Sequence, residues 1–205
     1  MRRVAILGGS FNPVHLGHLL MAQSVLETGH FDQIVFLPSN RTPHKDPGAL
    51  APAADRLAML RLAIGDNPAF SISEQEIARG GVSYAVDTLC EWRQLHPAAA
   101  RPGFIIGMDS LIELHTWHRV ADLLPLCTFI TLQRPGFDAV PEAAALRLPA
   151  PWPERLLAGI VPGRRFDVSS SEIRQRVAEN RGIRYLVPDS VARYIAKHGL
   201  YHRGA

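Results

Sequence analysis

The sequence predicts an α/β chain, with a doubly wound parallel sheet covered by helices on both faces and a small helical part at the C-terminus. Three observations carry that expectation. The strand candidates are mostly continuous apolar runs, as expected when both faces of a sheet are buried. Helix-period segments separate them, the order that crossovers between parallel strands require. No internal repeat interrupts the 205 residues, a length that suits one domain with a sizeable core.

The first strand is "VAILGG" (4–9), followed by a helix near 16–28 with Leu16, Leu19, Leu20 and Leu26 on one side. "QIVFLP" (33–38) is a second strand ended by Pro38, and the loop "SNRTPHKDPG" leads to a helix near 53–65 with Leu57, Leu60 and Ile64 in register. "FSIS" (70–73) alternates like a strand, and 84–95 reads as a helix. "GFIIG" (103–107) and "CTFITL" (127–132) are two more buried runs. These make 1–134 an α/β core. Residues 135–163, rich in Pro and Ala, read as an irregular connection, and 164–205 as a helical part with two helices within 168–200.

Composition narrows the function classes. Hydrophobic residues make up 47% and charged residues 20%, ordinary for a folded chain. The net charge of +3 comes from 20 Arg and two Lys, Lys45 and Lys197, against 19 acidic residues. No dense basic tract stands out, so no nucleic-acid partner is expected. The N-terminal apolar run is too short for a signal peptide and no later stretch is long enough to span a bilayer. Cys90 and Cys127 form no C-x-x-C pair. They read as reduced core thiols of a cytosolic protein, without a disulfide or metal framework.

Doubly wound sheets bind ligands outside the carboxyl ends of their strands. Two glycine-bearing exits stand there, "LGGSFNP" and "IGMDS". Neither gives the dinucleotide fingerprint G-x-G-x-x-G, and nothing matches the P-loop pattern, which argues against a dehydrogenase and a P-loop enzyme. In "GGSFNPVHLGHLLMA" (8–22), Gly8 and Gly9 suit a tight turn close to a ligand, and the amides that follow, with the helix start, favour anions. His15 and His18 would share one face of the first turn, and Gly17 would leave room for phosphate. A zinc site is disfavoured because no third ligand stands at a matching spacing.

The stretch "GGSFNPVHLGH" resembles the H-x-G-H motif of the nucleotidyltransferase superfamily. The resemblance is closest to the bacterial nicotinate mononucleotide adenylyltransferases, and it runs through the chain in order: "PSNRTPHK" (38–45), "VSYAVDTL" (82–89), "GMDSLIELHTWHRVADLL" (107–124), "LQRPG" (132–136), "VSSSEIR" (168–174) and "VPDSVARYIAKHGLY" (187–201). It implies a Rossmann-like fold and adenylyl transfer from ATP, with Mg²⁺ on its phosphates, to nicotinate mononucleotide. No protein ligand for the metal can be named, and the oligomeric state is open. The main alternatives are a phosphopantetheine adenylyltransferase and a nucleotide-binding module without turnover.

The resemblance also implies roles. Gly8, Gly9, Ser10 and Phe11 belong to the ATP site with His15 and His18, His18 nearer the α-phosphate. Lys45 would reach the triphosphate from the opposite side, with His44 a weaker candidate. In "VSSSEIR", Ser169 and Glu172 have capping-box spacing. The helix they open would bind the terminal phosphates, with hydroxyls from Ser170 and Ser171 and a fixed charge from Arg174. Gly107 and Asp109 would meet a ribose, Arg134 would lie near the nucleotide, and Trp117 would stack on the pyridine ring, with Tyr84 and Ala85 at its substituent. Two positions depart from the family pattern: Asn12, where Asp is frequent, and Ala85, where Thr is common.

Overall fold

The computed structural model describes residues 2–43, 50–97, 100–133, 139–164 and 166–202. Its strands are β1 (Val4–Gly9), β2 (Gln33–Pro38), β3 (Phe70–Ile72), β4 (Gly103–Gly107), β5 (Thr128–Leu132) and β6 (Ile160–Val161). They form one sheet in the order β3-β2-β1-β4-β5-β6, and every neighbouring pair is parallel. The chain winds outward from β1 to β3, returns to the centre, and winds the other way from β4. At that reversal the connections leave on opposite faces and open a crevice above the carboxyl ends of β1 and β4.

The continuous apolar runs follow from burial on both faces. Ala5 and Leu7 of β1, Ile34 and Phe36 of β2, and Ile105 of β4 enter one core. Their neighbours Ile6, Val35, Leu37, Phe104 and Ile106 enter the other. Helices α1 (Leu16–Glu27), α2 (Ala53–Ile64), α8 (Ser170–Ala178) and α9 (Asp189–Lys197) cover the first face. Helices α4 (Ala85–Leu95), α5 (Met108–Ile112), α6 (Val120–Leu123) and α7 (Trp152–Ala158) cover the second. A short helix, α3 (Gln75–Arg79), links β3 to α4.

The C-terminal helices bury Ile173, Val177, Val191 and Ile195 in the same core as β1. At about 1.5–3 kcal/mol per buried aliphatic side chain, these four residues hold the tail firmly against the sheet. Tyr194 reinforces the packing by donating to Asp55 Oδ1 of α2 at 2.8 Å. That docking carries the start of α8 to the crevice.

The segment 135–163 corrects the expectation of an irregular connection. Among its described residues it contains α7 and the two-residue strand β6, which pairs with β5 at Thr131 and Leu132. Proline hid the helix: Pro151 is its N-cap and Pro153 lies in its first turn, where a missing N–H costs no intrahelical bond. A strand of two residues has no periodicity to read.

Candidate active site

A cavity of about 760 Å³ opens above the carboxyl ends of the central strands. Elements from both sheet faces line it, with α1 and α8 on one side and α4 and α5 on the other. Of the expected site residues it gathers Gly8, Gly9, Ser10, His15, His18, Tyr84, Ala85, Gly107, Asp109, Trp117, Ser170, Ser171 and Arg174. Lys45, His44 and Arg134 lie outside the described residues.

At the exit of β1 the turn differs from expectation. The left-handed residue is Phe11, with φ 45°, and neither Gly8 nor Gly9 has positive φ. A Cβ on Gly9 would sit 3.3 Å from the Phe11 ring, so this glycine clears space for an aromatic packed beneath the loop. Phe11 does not line the cavity. Its side chain is fully buried and meets His18 edge-on at a centroid distance of 4.9 Å.

His15 is the N-cap of α1, in extended conformation, and His18 is the third residue of the helix. Their rings stack with centroids 3.7 Å apart. The backbone N–H of His15 donates to Nδ1 of His18 at 3.2 Å. That bond assigns the His18 tautomer: Nδ1 accepts, so the proton sits on Nε2, a donor for phosphate oxygen. The first-turn amides of α1 contribute less than expected. Leu16 N–H donates to Leu186 O, and His18 N–H to His15 O. Gly17 lines the cavity, and its bareness has a second task that the sequence did not indicate. A Cβ there would lie 3.0 Å from both His15 Nδ1 and Val168 Cγ1, so its bareness seats the imidazole.

Across the cavity, Ser169 caps α8 by accepting from Glu172 N–H at 3.1 Å, as the capping-box spacing anticipates. Ser170 and Ser171 occupy the first two helical positions, where N–H groups lack intrahelical acceptors. Their hydroxyls differ. Ser170 spends its proton on Pro13 O at 2.9 Å, whereas Ser171 Oγ accepts from Arg174 Nη2 at 3.1 Å and keeps its proton to donate. Arg174 Nη1 donates to Asn12 O at 2.9 Å, which holds the guanidinium between the two loops.

Asn12 is 2% exposed, and its Oδ1 accepts from Ala51 N–H and from Tyr201 Oη, at 3.0 and 2.9 Å. Burial pushes the Tyr201 phenol well above its usual range, so it remains a donor. Both partners require only an acceptor, which explains how Asn serves where a carboxylate is frequent.

On the other sheet face, Tyr84 is the N-cap and Ala85 the first residue of α4. The chain reaches them through Gly80 and Gly81, at φ 72° and 67°, a left-handed pair that glycine adopts without a Cβ penalty. Trp117 packs edge-on to Phe104, centroids 6.3 Å apart, and is half-buried with part of its ring on the cavity.

Residues 6–176 match the cytidylyltransferase-like family model. A Symbiobacterium thermophilum protein named "Probable nicotinate-nucleotide adenylyltransferase" is 45% identical, with 100% of this chain and 97% of that one covered. A Dehalococcoides mccartyi protein of the same name is 38% identical, with 98% of each covered. The chain belongs to the nicotinate-nucleotide adenylyltransferase family. A solved Plasmodium falciparum nicotinic acid mononucleotide adenylyltransferase, described as complexed with NaAD, shares the fold at a TM-score of 0.77 and 18% identity, over 98% of each chain.

In this adenylyltransferase the cavity also contains residues that the sequence motifs did not single out. His118 lies against Tyr84, ring centroids 4.3 Å apart. Glu76 of α3 lies beside the start of α4, 5% exposed, and accepts from Thr88 Oγ1 at 2.5 Å. Burial pushes its carboxyl above the usual range, opposed by hydroxyl donation from Thr88 and Ser83. Helix α3 is five residues long, too short to show a period, so nothing local marked Glu76 as buried.

Proposed function

We propose that the protein transfers the adenylyl group of ATP to nicotinate mononucleotide, giving nicotinate adenine dinucleotide and pyrophosphate. One observation carries this reading. A single cavity joins a phosphate-binding wall, formed by the stacked His15–His18 pair and the start of α8 with Arg174, to an aromatic wall at Tyr84 and Trp117.

The 5′-phosphate oxygen of the mononucleotide attacks the α-phosphorus of ATP while the bond from that phosphorus to the β-phosphate bridge breaks. A phosphate monoester has a second pKa of about 6, so at neutral pH it is largely a dianion and needs no general base. The protein's task is positioning and charge neutralisation. His18 Nε2–H would donate to the α-phosphate, and Arg174, Ser171 and the α8 amides would receive the departing pyrophosphate. Trp117 would hold the pyridine ring, and the open amides of the α4 start would take its carboxylate.

ATP enters as its Mg²⁺ complex. Among the described residues no group of three His, Cys, Asp or Glu side chains could cage a metal. Mg²⁺ would be held by the ATP phosphates and water, with Asp109 one of the carboxylates that line the cavity. Cys90 and Cys127 are both free thiols, which fits the reducing, ATP-rich cytosol.

The test is to incubate the protein with ATP, Mg²⁺ and each acceptor in turn, measuring pyrophosphate and the dinucleotide. Nicotinate mononucleotide is expected to exceed its amide counterpart in kcat/KM by about a hundredfold, because a charged acceptor gains a few kcal/mol at the helix start. Equal values would refute the acid preference, and no pyrophosphate with any mononucleotide would refute the transferase reading.

A further inference from the structure

Beneath the cavity floor, α2 carries Arg56, the bulkiest of the fully buried side chains, with 2% exposure. Its hydrogen bonds run to main-chain carbonyls. Nη1 donates to Ser10 O at 2.9 Å and to Ser39 O at 2.7 Å, Nε to Ala51 O at 3.1 Å, and Nη2 to Asn40 O at 3.4 Å. Among the described residues no carboxylate pairs with it. Burial lowers the guanidinium's affinity for its proton, as expected for a cation compensated by dipoles only. A buried cation held by dipoles alone contributes little net stability, so its effect lies in the groups that it orients.

The carbonyls that it grips are informative. Ser10 and Ser39 follow directly on β1 and β2, and Ser39 N–H donates to Gly9 O at 2.9 Å, so the two strand exits run side by side. One guanidinium nitrogen bridges them. In a trans peptide the C=O and N–H point in opposite directions. Drawing Ser39 O down to Arg56 therefore turns Asn40 N–H the other way, and that amide indeed donates to Ser83 Oγ at 3.0 Å, beside the entry to α4. Drawing Ser10 O down turns the Phe11 N–H away from Arg56 in the same manner. Phe11 holds a left-handed conformation at φ 45°, which a non-glycine residue keeps only when its surroundings impose it.

We propose that Arg56 is a positioning residue for the transfer reaction: its grip on the Ser10 and Ser39 carbonyls fixes the exits of β1 and β2 against each other and turns the Asn40 amide to Ser83, the anchor of the acceptor-binding helix start. The proposal rests on the adenylyl-transfer reading. The grip fixes the acceptor side of the cavity, so losing it should misalign the attacking phosphate and act on kcat more than on ATP affinity.

Arg56→Lys keeps the charge but cannot fork to carbonyls on two strands. The expected result is a tenfold or larger fall in kcat, with a cooperative melt and an ATP dissociation constant within about threefold of wild type. Arg56→Ala should lose at least as much, and millimolar guanidinium should restore it about tenfold where equal sodium chloride does not. A Lys variant with wild-type kcat would overturn the role. So would a fall in kcat matched step for step by ATP affinity, or an Ala variant unmoved by guanidinium. Wild-type protein run alongside separates the two ideas. If it forms no dinucleotide, the transferase reading fails and takes this proposal with it. If it turns over normally and the variants match it, only the assignment of Arg56 fails.

Discussion

Gly17→Ala should separate folding from catalysis. Gly17 is the second residue of α1, and a Cβ built there meets His15 Nδ1 and Val168 Cγ1 at 3.0 Å and His15 Cε1 at 3.1 Å. Unstrained contacts of this kind run at about 3.5–4.0 Å, so the methyl group lacks roughly half an ångström on two sides. Val168 is 2% exposed and locked in the core, whereas the His15 ring borders the cavity and is the side that yields. Overpacking costs about 1–3 kcal/mol, and alanine in place of glycine returns about 1 kcal/mol of helix propensity. The net change is then about 0–2 kcal/mol, a fall in Tm of no more than about 8 °C at this chain length.

The imidazole pair has less tolerance. Because the rings stack at 3.7 Å, moving His15 moves His18. A misplacement of about 1 Å can cost about a hundredfold in rate, so half that displacement predicts roughly a tenfold fall in kcat. The assay is steady-state pyrophosphate release with thermal unfolding of the same preparation. Wild-type kcat with an unchanged Tm would show that the seat of His15 does not govern the reaction. A large drop in Tm with kcat intact would place the strain on Val168 instead.

His18→Ala removes the Nε2 donor and should lower kcat by about 100- to 1000-fold with a much smaller change in KM; activity within about threefold of wild type would remove His18 from the mechanism. Trp117→Ala should weaken the mononucleotide by the roughly 1–3 kcal/mol typical of base–aromatic stacking while leaving ATP binding intact. If calorimetry shows both ligands weakened together, Trp117 is a packing residue. Glu76 has a carboxyl raised above 4.5 in the folded state. The unfolded chain therefore loses this proton first, and stability falls as pH rises from about 4.5 through the folded value, then levels off. Glu76→Gln should flatten that part of the Tm–pH profile, and a parallel profile would show that Glu76 does not supply the slope.

The strands and long helices were legible because their signals are local. β1, β2, β4 and β5 appear where continuous apolar runs stand, since each residue needs only to be buried on whichever face it meets. The H-x-G-H spacing and the Ser169 cap also declare themselves within a few residues. What tertiary structure decided involves partners distant in sequence. Arg56 looks like one more polar residue on an amphipathic helix, yet it is buried because the exits of β1 and β2 converge over it. That the bareness of Gly17 also seats His15 shows only once the fold brings Val168 alongside, and Tyr201 reaches Asn12 only because α8 and α9 pack into the β1 core. A backbone pattern encodes which residues are apolar and how they repeat; which carbonyl a buried cation grips depends on loop closure across the whole chain, and no local period records it.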